Sequence, residues 1–176
     1  MKVGQIFRVG DKVVYPNHGV AVVDQISSQP NGFLAEQYYN LTIQSSGLKV
    51  MVPCRNAEVV GLRCVAGKEE IEDIFVYLGD AQQPVIAEWR DRYREYCEKM
   101  KTGSLTEAAQ VLKSLLVQGK SKPLGERDAK LLERTRHLLR NEIALGMGWH
   151  EAEVEMRLTE AVRKGSLEFP EVVAEE

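Results

Sequence analysis

Trp89-Arg90-Asp91-Arg92-Tyr93-Arg94-Glu95-Tyr96 is the stretch of this 176-residue chain whose residue types and spacing suit a chemical role. A tryptophan followed by three arginines within five residues, on a helix, can set a ring against a base step while guanidinium groups hold the flanking phosphates. Against this stands packing. Trp89 also begins an apolar stripe through Tyr93 and Met100, and a tryptophan on such a stripe is more often core than probe. Charge around the stretch is compatible with a polyanion. Residues 89–140 carry 13 Lys or Arg against 7 Asp or Glu, whereas residues 141–176 carry 3 against 9 and residues 1–88 carry 7 against 10. A basic block inside a chain of net charge −3 is a candidate phosphate contact, although charge runs more often mark solvated helix faces.

Catalytic patterns are scarce. His18, His137 and His150 are scattered, none stands at the i, i+4 spacing of a helical metal pair, and His150-Glu151 is not followed by the second histidine of H-E-x-x-H. His18 reads as a turn residue. The three cysteines, Cys54, Cys64 and Cys97, are odd in number and lack C-x-x-C spacing, so they are expected to be buried thiols rather than a disulfide framework or zinc site. Phosphate-cradling glycine loops and the G-x-S-x-G elbow are absent, and Glu69-Glu70 suits a helix start. The chain is expected to be no enzyme, with no cofactor and no metal. A composition of 44% hydrophobic and 28% charged residues is that of a globular protein. With no apolar leader and no run of eighteen apolar residues, a cytoplasmic location without membrane contact is expected.

Two kinds of element must position these residues. Up to about residue 66 the pattern alternates at the period of a strand. A strand from Val20 is expected to end near Ile26, where Ser27-Ser28-Gln29-Pro30-Asn31-Gly32 supplies turn chemistry. Residues 38–43 and 48–52 form the next hairpin, stopped by Pro53. Four or five short strands without an intervening helix predict a small, bent barrel of the SH3 or Tudor type.

From Gly67 onward the period becomes 3.6. Ile71, Ile74, Phe75 and Leu78 stripe a first helix closed by Gly79. Pro84 opens a second, which carries Trp89, Tyr93, Tyr96, Cys97 and Met100 as far as Gly103. Ser104-x-x-Glu107 is a capping box for a third. A fourth, with Leu131, Leu132, Thr135, Leu138, Leu139 and Ile143 inward, ends at Gly146-Met147-Gly148, and a fifth spans residues 151–164. The fold class is therefore α+β in two domains: a β-barrel at 1–66, an all-α domain of about five helices at 67–168, and an acidic tail at 169–176.

The chain resembles the CarD/CdnL family of bacterial RNA polymerase-binding transcription factors. The similar elements are Val9-Gly10-Asp11-Lys12-Val13-Val14-Tyr15-Pro16-Asn17-His18-Gly19, the run from Asn56 to Arg63 (N-A-E-x-V-G-L-R), Trp89, Arg92 and Tyr93 as W-x-x-R-Y, and the K-x-G segment Lys101-Thr102-Gly103. They occur in the family's order across about 160 residues. The resemblance implies a Tudor-like RNA polymerase interaction domain, also found in transcription-repair coupling factors, that pairs by an exposed strand with the polymerase β subunit. It implies a helical domain on promoter DNA at the upstream edge of the transcription bubble, with Trp89 as a minor-groove wedge that stabilises the open complex.

Site residues follow from that resemblance together with the basic block. Trp89, Arg90, Arg92, Arg94, Lys99 and Lys130 are the expected DNA contacts. Gln29, Leu48, Lys49, Met51 and Pro53 are the expected polymerase contacts, and the protein is expected to act as a monomer. Two departures matter. Gln29 and Met51 stand where some relatives carry arginines, leaving Lys49 as the nearby cation. Asp128-Ala129-Lys130 replaces a run of Glu and two basic residues, so that Arg127 is the available substitute. A competing reading, an SH3-like RNA-binding or ribosome-associated module, uses the same basic block and is separated by whether the protein co-purifies with polymerase or ribosomes.

Overall fold

The computed structural model describes residues 7–31, 34–82 and 89–170, the side chains of residues 31, 34, 35 and 89–91 excepted. It divides into two compact units, Met1–Val65 with Met100–Ser104, and Ala66–Lys99 with Leu105–Glu176. The first is a sheet and the second a helical bundle, an α+β arrangement with a small β domain leading.

Five strands build the sheet: β1 (Lys12–Tyr15), β2 (Gly19–Asn31), β3 (Leu34–Ile43), β4 (Lys49–Pro53) and β5 (Arg63–Cys64), in the antiparallel order β4-β3-β2-β1-β5. Alternation sends Val13, Ala21, Val23, Tyr39, Leu41, Ile43 and Val52 to one buried face, with Phe7, Ala57 and Leu62 closing over it. The Tyr39 hydroxyl accepts the Phe7 amide at 3.2 Å, so this buried phenol keeps its polar end satisfied.

β2 corrects the expected turn. Ser27 to Asn31 do not leave the sheet near Ile26 but continue to pair, residue for residue, with β3 from Tyr38 back to Leu34. The polar run is a solvated strand face and not a loop. Pro30 is tolerated because β1 pairs with β2 at residues 19–22, so that among the described residues the far end of β2 is flanked by β3 alone. A register shift between Val23 and Gln25 marks a bulge that bends the strand. The thiols need correction as well: Cys64 is exposed, and Cys54 and Cys97 are only partly covered. Cys64 lies in a two-residue strand at the sheet margin, where little chain is available to cover it.

His18 is a turn residue, its amide bonded to the Tyr15 carbonyl at 3.0 Å and its ring stacked on Tyr15 at 5.2 Å. Beside it, the Pro16 ring is held between two glycines. Gly61 and Gly103 have φ of +76° and +72°, and a Cβ on either would lie 2.9 or 2.8 Å from Pro16 Cγ. Arg63 fixes the same corner, donating from Nε (2.9 Å) and Nη2 (2.5 Å) to the Gly103 carbonyl.

The helical unit contains α1 (Lys68–Gly79), α2 (Trp89–Thr102, whose last turn belongs with the sheet unit), α3 (Leu105–Ser121), α4 (Glu126–Met147) and α5 (Glu151–Lys164). Pro84, expected to open the second helix, lies outside the described residues. Ile71, Ile74 and Leu78 of α1, Leu112 and Leu115 of α3, Leu132, Leu139 and Ile143 of α4, and Val154 and Leu158 of α5 are buried at the helical period. Phe75 and Leu138, expected inward, are half-covered, Phe75 lying 6.4 Å from the Trp149 ring. Gly148, at φ +69°, ends α4, and Gly165 ends α5.

Three buried polar residues have clear partners. The Thr135 hydroxyl donates to the Leu131 carbonyl, Glu142 accepts the Ala66 amide at 3.0 Å, and Lys113 caps the end of α1. The opposed charge blocks seen in sequence are in part complementary helix faces. Arg136 pairs with Glu155, and Arg140 Nε lies 3.1 Å from Glu151. Part of the basic surplus of residues 89–140 is thus neutralised within the bundle.

Candidate functional site

A groove of about 480 Å³ is lined by Arg92, Tyr93, Arg94, Gly125, Glu126, Arg127 and Asp128. Two of the six expected DNA contacts, Arg92 and Arg94, line it. α2 brings them there because Tyr96, on its other face, is buried and hydrogen-bonded to Ser114 of α3, burial pushing its phenol above the ordinary range. The other wall is the start of α4, whose capping residue Gly125 offers no side chain to the helix end. Asp128 is fixed by Gln118 of α3, which donates to it at 2.7 Å.

Across the groove Arg127 lays its guanidinium carbon 4.2 Å from the centre of the Tyr93 ring. That stacking sets an arginine on an aromatic shelf through the face of its guanidinium and not through its N–H edge. Three guanidiniums and the positive end of a helix against two carboxylates, one accepting from Gln118 and the other from Lys130, leave a modest cationic surplus suited to phosphate. Tyr93, expected on the apolar stripe, is half-covered and forms the shelf.

Lys99 and Lys130 do not join this groove. Lys99 pairs with Glu95 at 3.1 Å, and the exposed Lys130 pairs with Glu126 at 2.5 Å, each one turn along its own helix. Trp89 and Arg90 occupy the first two positions of α2, and their side chains lie outside the described ones.

A second feature is the outer edge of β4. β3 covers one side of β4, and among the described residues no strand covers the other. The Ile43 amide donates to the Leu48 carbonyl at 2.9 Å, so by antiparallel alternation the backbone groups of Val50 and Val52 face β3 and those of Lys49 and Met51 face outward. Lys49 and Met51 are exposed, as is Leu48 just before the strand, and Pro53 ends it half-covered. Gln29, exposed on β2, stands opposite Glu36 of β3. The five expected polymerase contacts therefore fall on one sheet, four of them along one edge.

Beside that edge lies a polar cluster that sequence reasoning missed. Glu36 accepts from the Tyr38 hydroxyl at 3.0 Å, a bond that raises the phenol's pKa, and its other oxygen lies 2.6 Å from Arg55 Nε. Nothing local signals the pair, because its two residues are joined only by the β3–β4 hairpin. Among the described residues, no three His, Cys, Asp or Glu side chains cluster so as to hold a metal, and no helix is long and apolar enough to cross a membrane.

The family model described as CarD-like/TRCF RID domain matches residues 7–65, and that described as CarD, C-terminal domain matches residues 73–159. A protein of Bacillus subtilis (strain 168) named "Putative transcription factor YdeB" is 28% identical over 151 residues, which cover 85% of this chain and 97% of the relative. Matched in the same order as its sheet and its helices, the chain belongs to the CarD family of transcription regulators.

Proposed function

We propose that the protein docks on the β subunit of RNA polymerase through the β4 edge and stabilises the promoter open complex through α2 and the start of α4. The edge of β4 that no described strand covers, within the part matched by the RID model, carries this reading. An edge with outward backbone donors and acceptors takes an added strand, whose backbone bonds supply affinity and whose alternate side chains supply specificity. Leu48, Lys49, Met51 and Pro53 flank the added strand in this reading, while Gln29, on β2, stands two strands in from that edge.

Arg90, Arg92, Arg94, Lys99 and Lys130, joined by Arg127, hold DNA phosphates, and Trp89 enters the minor groove at the upstream edge of the bubble. Tethering to polymerase raises the local concentration of a weak DNA binder, so the helical domain need not read sequence. A wedge favours kinked or melted DNA over closed duplex, and only such differential binding shifts the equilibrium toward the open state. The working species is one copy of the chain per polymerase.

The test is the lifetime of competitor-resistant promoter complexes formed by polymerase with and without the full chain. Longer lifetimes together with direct binding to core polymerase are expected. Unchanged lifetimes at saturating protein overturn the open-complex role, and no binding to core polymerase overturns docking.

A further inference from the structure

The β4 edge is not chemically uniform along its length. Its outer face carries Lys49 at the start and the exposed Met51 in the middle, and just past Pro53 comes a 3-10 turn (Cys54–Asn56) that carries Arg55. The five residues of β4 span roughly 13 Å at strand rise. The two cations thus stand at opposite ends of one interacting edge. They are not equivalent. Beside Lys49 the register sets Thr42, whose hydroxyl donates at 2.5 Å to Asp24, so a carboxylate already lies near that end.

Arg55 is presented differently. Its side chain is 70% exposed, whereas that of its partner Glu36 is only 11% exposed and is tied down by the Tyr38 hydroxyl. The carboxylate is thus a fixed anchor, and the guanidinium sits beside it as an ion pair, Nε 2.6 Å from Glu36 Oε1, without the alignment of a hydrogen bond. Its two Nη groups make no other bond among the described residues. A guanidinium kept near the sheet by this ion pair still carries the planar N–H fork that carboxylates accept. Tyr38 pairs with Pro53 in the ladder, so this anchor stands beside the last residue of the edge.

We propose that Arg55 is a specificity-determining contact of the β4 edge, selecting an extended partner strand that places a carboxylate at the Pro53 end, with Glu36 as its positioning residue. The proposal rests on the docking reading above. It assigns the chemistry of the partner: an acidic strand segment, with an apolar residue to meet Met51 and the acid beyond it. Glu36 contributes by keeping the guanidinium over the sheet instead of free in solvent, which lowers the ordering cost when the partner arrives.

The experiment measures binding of the full chain to core RNA polymerase as a function of salt, for the unaltered protein and for Arg55→Ala, Arg55→Lys and Glu36→Gln. Arg55→Ala is expected to weaken binding about tenfold or more and to flatten its salt dependence. Arg55→Lys, which keeps the charge but loses the fork, should recover part of the affinity. Glu36→Gln should weaken binding less than Arg55→Ala while leaving the salt dependence in place. Equal affinity of Arg55→Ala and the unaltered chain, with both bound, overturns the role of Arg55 and leaves docking intact. No binding by the unaltered chain overturns docking and this proposal together. Because Arg55 is so exposed, its variants are expected to melt with the parent, and a melting curve for each separates lost contact from lost fold.

Discussion

Arg127 holds its guanidinium over the ring of Tyr93 at 4.2 Å, which joins the first turn of α4 to the arginine-bearing face of α2. That contact gives a residue two positions past a glycine cap the same groove as Arg92 and Arg94. Replacing Arg127 by Ala should weaken binding of the full chain to forked DNA by a similar factor on every sequence tested. It should also reduce the slope of log affinity against log salt by about one, as expected for one lost phosphate contact. Anisotropy titrations at several salt concentrations measure both. An unchanged slope would remove Arg127 from the interface.

The edge of β4 allows a sharper test of docking. The backbone N–H of Met51 faces away from β3, so Met51→Pro removes a donor from the open edge without removing one from the β3–β4 ladder. Binding to core polymerase should fall below detection while far-UV circular dichroism stays unchanged. Undiminished binding by the folded variant argues that polymerase uses another surface.

Lys113 shows what the sequence pattern concealed. It is 1% exposed, and its ammonium donates to the carbonyls of Tyr77 (2.7 Å) and Asp80 (2.8 Å), at the end of α1 where helix carbonyls lack internal partners. Burial lowers its pKa, yet the carbonyls and the Tyr77 ring, 4.5 Å away, favour the cation. Lys113→Met should cost about 1 to 3 kcal/mol of unfolding free energy, because two acceptors are left dry. Urea denaturation measures it. A variant as stable as the parent would mean that relief from burying the charge cancels the lost bonds.

Alkaline pH should lower stability. Tyr39, Tyr77 and Tyr96 each have phenols raised above their ordinary pKa, chiefly by burial. In the unfolded chain they ionise near pH 10, before they do in the folded one, so stability is full below about pH 10 and falls as pH climbs toward their folded values. Lys113 acts oppositely, since a lowered folded pKa makes stability rise with pH up to about 10.5. Tyr38, raised by its bond to Glu36, and the Cys54 thiol, raised by burial, act in the same direction, so four phenols and a thiol against one ammonium give a net loss, to be read from urea unfolding at pH 8, 10 and 11. Tyr96→Phe should shrink the loss, and a net rise across that range would show that Lys113 dominates.

Helices were legible wherever an apolar period met a stop: α5 runs from Glu151 to Lys164 before Gly165, as its spacing predicts. The far end of β2 was not, because Ser, Gln, Pro and Asn carry turn chemistry locally and only pairing with β3 overrides it. Arg92 and Arg94 stood out through density of charge, and the groove gathers both. Lys99 and Lys130 stood out equally, yet both stand outside the groove, each paired with an acid one turn along its own helix, a fact that charge counts over a block discard. Arg55 and Lys113 gave no signal at all. Their partners, Glu36 for one and the Tyr77 and Asp80 carbonyls for the other, are distant in sequence and come near only on folding.

Trp89 stands at the first position of α2, three residues before Arg92, so a ring projecting from that helix start would precede the arginines onto DNA. If it is a wedge, Trp89→Ala should leave unfolding free energy within about 0.5 kcal/mol, as for a surface site, and remove roughly 1 to 3 kcal/mol of open-complex stabilisation. If it is core, truncation should cost about 3 to 5 kcal/mol of folding stability and damage every function together. The expected result is a folded variant that binds polymerase with parental affinity yet no longer prolongs open complexes. Melting curves, core-polymerase binding and complex lifetimes on the same preparation decide between them, and a large drop in melting temperature with loss of polymerase binding returns Trp89 to the core.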